Sequence, residues 1–304
     1  MRRLATVTLF LGMITLPYAL PAQEVDAPVR YDEDYLSADF HRGRRAAVVA
    51  QLPGNSLVVL FGAPMRNRSN DMDYEYRQAS DFLYLTGSEE PGSALILAPG
   101  GLEVDGERVH EILFVPPRDP AREVWDGRRF GAERAMQRLG VEFALDATRF
   151  DEILVPLLQN GQHRVYHLGF PDGVPEGSAL HDQLAAFMDN VDPAVLPGAG
   201  NGSAAPLRGV LDGLRAIKSD EEMTALRRAI DITTEAHREV MQQVQAGWAE
   251  YEIEALVEYT FKRNGSEQPG FNSIVGSGEN STILHYMTNR RVTEPGDVVV
   301  IDIG

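Results

Sequence analysis

The sequence contains no cysteine. That absence excludes disulfides, thiolate metal ligands and cysteine nucleophiles together. Basic residues are also scarce: 28 Lys and Arg stand against 45 Asp and Glu, for a formal charge of -17. Such a balance repels nucleic acid and anionic lipid, so neither is an expected partner. The P-loop, H-E-x-x-H and G-x-S-x-G patterns are missing as well, which leaves the common nucleotide, zincin and serine-hydrolase readings without support. Gly276 and Gly278 do not make a phosphate loop, because no glycine follows at 281 and the loop opens no helix. Internal repeats and low-complexity tracts are absent. Past the first residues, no apolar run is long enough to cross a bilayer.

What is present sets the frame. A chain of 304 residues with 43% hydrophobic content suggests about two domains with real cores. Arg2 and Arg3, an apolar run from Leu4 to Leu16, a break at Pro17 and small residues at Ala19 and Ala22 have the three parts of an export signal. Residues 1–22 are therefore expected to be removed after Ala22, sending the product to the periplasm or the outside, free of the membrane. A single membrane anchor is the alternative, disfavoured because the run is shorter than the ~20 residues that span a bilayer. Residues 23–37, polar and carrying Pro28, read as a linker.

From Ala38 onward short β-rich runs alternate with helical stretches. The runs are Ser56 to Gly62, Phe82 to Gly87, Ala94 to Pro99, Glu111 to Pro117 and Arg164 to Phe170. Helices are expected near Ala38 to Gln51, Ala132 to Leu139 and Gly177 to Met188. That alternation predicts an α/β domain with a mixed sheet over residues 38–208. The Gly-, Ala- and Pro-rich stretch from Pro193 to Pro206 marks its boundary.

Residues 209–304 have a different texture. Ser219 with Glu222 has capping-box spacing, and Asp220 and Glu221 add negative charge to the first turn. Met223, Leu226, Ile230, Thr233, His237, Val240, Met241 and Val244 then recur at three- and four-residue steps, predicting a helix of about 25 residues with one buried face, ended by Gly247. A second helix runs from Tyr251 to Arg263, burying Ile253, Leu256, Val257, Thr260 and Phe261, with Asn264-Gly265 as its stop. Two strands follow, an α+β pattern.

The candidate chemistry lies in those last strands. Glu294-Pro295-Gly296-Asp297 is a turn signal that launches Val298 to Ile303. Alternation puts Val298, Val300 and Asp302 on one face and Val299, Ile301 and Ile303 on the other. Asp302 then takes a position expected of a core residue, and a carboxylate there needs a cation or a hydrogen-bonding partner. A metal ligand and a structural hydrogen bond, or an exposed strand end, are both open. His285 follows Ser281 to Leu284 and is expected on or just after a short strand, as a structural or a catalytic residue.

The run GFNSIVGSGENSTILHY, followed by DIG, resembles the catalytic domain of the Xaa-Pro aminopeptidases, in the pita-bread metallopeptidase family shared with prolidase, methionine aminopeptidase and creatinase. Leu214 to His237 looks like the helix that opens that domain. Tyr76 to Leu97 and Phe114 to Gly131 look like the N-terminal domain of the same enzymes. These four motifs stand in the family's order between Ala38 and Gly304.

The resemblance implies an α/β N-terminal domain followed by the first part of an α+β pita-bread domain. It implies a manganese-dependent enzyme that releases the first residue from peptides with proline second. Two divalent ions, usually manganese, are held in the family by two aspartates, a histidine and two glutamates, and a bridging hydroxide attacks the peptide carbonyl. Asp302, in its D-x-G context, matches the first aspartate. His285, in I-L-H-Y, matches a catalytic histidine that steadies the tetrahedral intermediate. Trp125, in EVWDGRR, matches a substrate-contacting tryptophan that in some dimers or tetramers reaches a neighbouring subunit's site.

The family's remaining ligands lie downstream of D-x-G. The 304 residues are therefore expected to be part of a longer enzyme and to be inactive alone. Prolidase, the metal-free creatinase chemistry and a non-catalytic peptide-binding or assembly module are the other readings.

Overall fold

In the computed structural model, residues 35–169 and 204–304 are described. The expected export signal, most of the linker, the helix from Gly177 to Met188 and most of the boundary stretch lie outside them.

The first helix, α1 (Ala38–Val49), starts where Ser37 caps it, its hydroxyl accepting from the Phe40 amide at 3.1 Å. Then come β1 (Ser56–Phe61), the small hairpin β2 (Asn67–Ser69) and β3 (Met72–Asp73), and helix α2 (Ser80–Thr86). Two long antiparallel strands follow, β4 (Ala94–Val104) and β5 (Glu107–Val115). Helices α3 (Pro120–Asp126) and α4 (Gly131–Leu139), strand β6 (Ala144–Asp146), helix α5 (Phe150–Gln159) and strand β7 (Arg164–His167) complete this part.

The strands pair in the order β6-β5-β4-β1-β7. β1 runs parallel to β7 and β5 parallel to β6, while β4 is antiparallel to both of its neighbours, so the sheet is mixed as expected. All six residues of β1 are buried, because helices cover both faces of this central strand. Leu57, Val59 and Phe61 point to one core with Ile96, Phe114 and Phe150. Val58 and Leu60 point to the other with Leu95, Leu97 and Leu113, under α1, α2 and α4. Period-2 alternation thus fills two cores from one set of strands.

Arg45 on α1 is fully buried beneath this layer. Its guanidinium is satisfied by both oxygens of Glu111, at 2.8 and 3.0 Å, and by the carbonyls of Leu85 and Gly140, each at 2.8 Å. The bidentate geometry explains how a full charge is tolerated inside.

In the sheet region one strand expectation fails. Phe82 to Gly87 is β-rich in composition, yet Ser80–Thr86 is a helix. The Thr86 hydroxyl donates back to the Phe82 carbonyl at 2.8 Å, and Gly87, at φ 69°, closes the turn on Leu83. A left-handed cap at glycine and a buried place beside α1 outweigh the propensity of aromatic residues for strands. Helices α3 and α5 had no counterpart in the sequence reading. Pro156 inside α5 hides that helix from a pattern search.

The chain continues through α6 (Ala204–Ala216), which adds Leu207 and Leu211 to the second sheet core. It then enters α7 (Asp220–Gln243), α8 (Glu250–Arg263) and the strands β8 (Ile274–Ser277) and β9 (Val299–Asp302). The capping box of α7 forms as expected: the Glu222 amide donates to the Ser219 hydroxyl at 3.3 Å and the Ser219 amide to the Glu222 carboxylate at 2.7 Å. Its buried face is narrower than expected. Ala236 and Val240 are buried, whereas Leu226, Ile230 and Met241 are exposed, Ile230 at 62%.

Candidate functional site

Asp302 and His285, singled out from the sequence, lie on the β8–β9 hairpin and its long connection, whereas Trp125 lies on α3. In α8, Ile253, Val257, Thr260 and Phe261 are buried as expected, with Leu256 packed at the edge of the same core. β8 and β9 are antiparallel, with Ile274 opposite Asp302 and Ser277 opposite Val299. The turn before β9 takes the expected form: Gly296 has φ 92° and the Asp297 amide donates to the Glu294 carbonyl at 3.1 Å.

The alternation in β9 holds, but its faces are the reverse of the expectation for Asp302. Val299, Ile301 and Ile303 pack with Ala236, Val240 and Val257 of the two helices. Val298, Val300 and Asp302 face outward and are exposed. Asp302 therefore does not occupy a core position, since the helices lie against the odd-numbered side. Its carboxylate makes no hydrogen bond among the described residues.

His285 is also placed differently. Gly278–Thr282 winds as a 3₁₀ turn instead of a strand. The Ser281 hydroxyl donates to the Gly278 carbonyl at 2.6 Å and the Thr282 hydroxyl to the Glu279 carbonyl at 3.0 Å, which curls the segment. His285 follows in an exposed turn beside Leu284, which is 86% exposed. Trp125, on the short α3 of the sheet region, is 87% exposed.

What holds the His285 connection was not foreseen. Glu250, the first residue of α8, is fully buried, and its carboxylate is the hub. One oxygen accepts from the Ser277 amide at 2.7 Å, the Ser277 hydroxyl at 2.8 Å and the Asn280 side chain at 3.3 Å. The other accepts from the Tyr286 hydroxyl at 2.8 Å and the Arg291 amide at 2.9 Å. Burial alone would push this carboxyl up, but the hydrogen bonds from Ser277, Tyr286 and Arg291 outweigh it and hold Glu250 below the usual carboxylate range.

Asn289 and Arg291 complete the frame. Asn289, buried and at φ 48°, accepts from the Val275 amide at 3.1 Å and donates to the Ser273 carbonyl at 2.9 Å. Arg291 donates to the Ser277 hydroxyl at 3.1 Å and pairs with Asp297, which holds that carboxyl below its ordinary value. An acid at the first position of a helix is a readable feature of sequence, but it does not point to a loop some thirty residues away, nor does an asparagine point to partners fourteen and sixteen residues back.

A metal fits these residues poorly by themselves. Among the described residues, no three His, Cys, Asp or Glu side chains stand close enough to hold an ion. Asp302 is one carboxylate, and oxygen-rich divalent sites need several.

Comparison with known proteins places this arrangement. Residues 41–166 match the family model for the aminopeptidase P N-terminal domain, and residues 224–304 match that for metallopeptidase family M24. The chain is 39% identical over 271 residues to the Xaa-Pro aminopeptidase of Escherichia coli K12, covering 88% of this chain and 58% of that protein. It is 38% identical over 263 residues to the Xaa-Pro aminopeptidase of Haemophilus influenzae, with 86% and 56% covered. The solved structure of E. coli aminopeptidase P with the inhibitor Pro-Leu superposes with a TM-score of 0.73 at 35% identity, covering 88% of this chain and 59% of that one. The fold is an aminopeptidase P N-terminal domain followed by the start of a pita-bread domain, and the chain belongs to the aminopeptidase P group of the M24 metallopeptidases. It spans a little under three fifths of the length of these relatives.

Proposed function

We propose that this chain is part of an Xaa-Pro aminopeptidase, a manganese-dependent hydrolase that releases the first residue from peptides with proline second. The observation that carries the reading is the match of both family models, in order, on a chain whose β9 ends at Asp302, followed by Ile303 and Gly304.

Asp302 is the first metal ligand. Its outward, unpartnered carboxylate is free to bind an ion once further ligands surround it. His285 contacts the scissile region of the peptide and steadies the tetrahedral intermediate by hydrogen bonding, a role suited to an exposed imidazole on an anchored turn. Trp125, standing clear of α3, contacts substrate in a neighbouring subunit's site within a homo-dimer or tetramer. Residues 1–22 direct export, so the enzyme works in the periplasm or outside the cell. With one candidate ligand among the described residues, the 304-residue chain on its own is inactive.

The test uses a polypeptide that carries these residues within a complete M24 domain, supplied with manganese. Cleavage of an Xaa-Pro-Xaa tripeptide is expected, and Asp302→Ala and His285→Ala should each lower kcat by about a hundredfold or more. Preference for the Xaa-Pro dipeptide would instead identify a prolidase, and absence of hydrolysis with retained peptide binding would identify a binding module. Either outcome overturns the proposal.

A further inference from the structure

The connection between β8 and β9 carries His285, and both of its ends meet on one buried carboxylate. Ser277, the last residue of β8, and Arg291, where the chain turns back toward β9, each give a backbone amide to Glu250, at 2.7 and 2.9 Å. The two amides go to different oxygens. Tyr286, next to His285, gives its hydroxyl to the oxygen that also receives Arg291, at 2.8 Å. The Tyr286 oxygen in turn accepts from Asn280 at 3.0 Å, across the same loop.

The Arg291 end is also sewn to α8 through the backbone. The Glu250 amide donates to the Arg291 carbonyl at 2.9 Å, the Thr293 amide to the Trp248 carbonyl at 2.8 Å, and the Gly247 amide to the Thr293 carbonyl at 2.8 Å. Ala249 and Val292 form an antiparallel bridge between these ladders. The helix start and the loop end are one construction. What closes the loop back onto β8 is the Glu250 side chain, aided by Asn289 and by the Arg291 guanidinium on the Ser277 hydroxyl.

We propose that Glu250 is the positioning residue for His285: its carboxylate clamps Ser277 to Arg291 and, through Tyr286, sets where the imidazole stands. The inference rests on the reading of His285 as catalytic. Glu250 itself is fully buried and touches no substrate.

The chemistry demands a carboxylate with both oxygens accepting. Each oxygen already faces an amide N–H, so a glutamine must aim its NH₂ at one of them, setting donor against donor. An aspartate is one methylene too short to span both from the same helix position. Alanine leaves the buried Ser277 amide, the half-buried Arg291 amide and the half-buried Tyr286 phenol without this acceptor. Glu250→Gln is nearly isosteric and still fails as a clamp, which separates the clamp from simple packing.

Amide hydrogen exchange and the His285 ring signal in NMR spectra of the 304-residue chain test this. In Glu250→Gln, protection of the Ser277 and Arg291 amides should fall roughly ten- to hundredfold, the loss expected for hydrogen bonds to a charged acceptor, and the imidazole signal should shift and broaden. Val257→Ala, a loss in the same apolar core, should leave both readouts in place. Tyr286→Phe removes only the phenol oxygen and serves if the glutamine variant does not fold. It should move the His285 signal while β8 and β9 amides stay protected. Unchanged exchange and an unchanged ring signal in Glu250→Gln would overturn the proposal, as would an unmoved ring signal in Tyr286→Phe. If the readouts move as expected but His285→Ala leaves peptidase turnover intact, the positioning stands and the catalytic reading of His285 falls.

Discussion

In the sheet region, β1 is buried along its whole length, with apolar side chains filling a core on each face. In the 220–304 region, a single smaller cluster joins α7, α8, β8 and β9, and β9 leaves Val298, Val300 and Asp302 to solvent. Polar groups are used differently too. Arg45 is a charge sunk beneath the sheet layer and matched by Glu111, whereas Glu250 ties a loop together by accepting from backbone and side-chain donors. The contrast teaches that the first region is held by burial and the second, where the proposed chemistry sits, by a polar frame that leaves its reactive side chains outside.

Mutations can separate the two modes. The largest expected effect is from Arg45→Met, which removes both guanidinium bonds from the Glu111 carboxylate, leaving it the Glu142 amide, and takes the Arg45 donor from the Leu85 and Gly140 carbonyls. Loss of one partner of a buried pair costs about 3 to 5 kcal/mol, measured by urea unfolding. Ile96→Ala in the central sheet should cost about 2 to 5 kcal/mol by cavity formation, while Ile230→Ala on the exposed stripe of α7 should stay within about 0.5 kcal/mol. Equal costs at Ile96 and Ile230 would break the comparison.

Gly87→Ala should destabilise by about 1 to 3 kcal/mol, because the residue would have to hold a left-handed φ while its Cβ met the His41 ring at 2.7 Å. The smallest effects are in pH dependence, and the two regions should differ in sign. Glu250 is held below the usual range, so its contribution is present above the unfolded carboxylate value and is lost as pH falls through the folded one. Glu89 is pushed up by burial and by Glu267, against the hydrogen bond from Tyr35. Its contribution is present below the unfolded value and is lost as pH rises through the folded one. Stability measured across about pH 3 to 6 should therefore flatten in opposite senses in Glu250→Gln and Glu89→Gln. The same sign in both variants would contradict the assignment.

Local signals in the sequence carried far. The Ser219 capping box, the turn at Pro295-Gly296 and the strand cores beginning at Ser56, Ala94 and Glu111 are short-range patterns, and the structure keeps them. Failures came where the answer depended on what packs against a segment. Phe82 to Gly87 has strand composition but lies under α1 as a helix. Alternation in β9 defines two faces without saying which one the helices cover, so it leaves both a core and an exposed place open for Asp302. The His285 loop was read as a strand because the hydroxyl back-bonds of Ser281 and Thr282 leave no periodic trace. Glu250 stayed invisible for the same reason: its partners are distant in sequence and meet only in the fold.

The proposed reading makes Asp302 one metal ligand of several and His285 a catalytic imidazole, so that the 304-residue chain by itself lacks activity. It is tested most directly by incubating the 304-residue chain with manganese and an Xaa-Pro-Xaa tripeptide and following release of the first residue. The account predicts no release above the uncatalysed rate. Sustained, manganese-dependent turnover by this chain alone would contradict it.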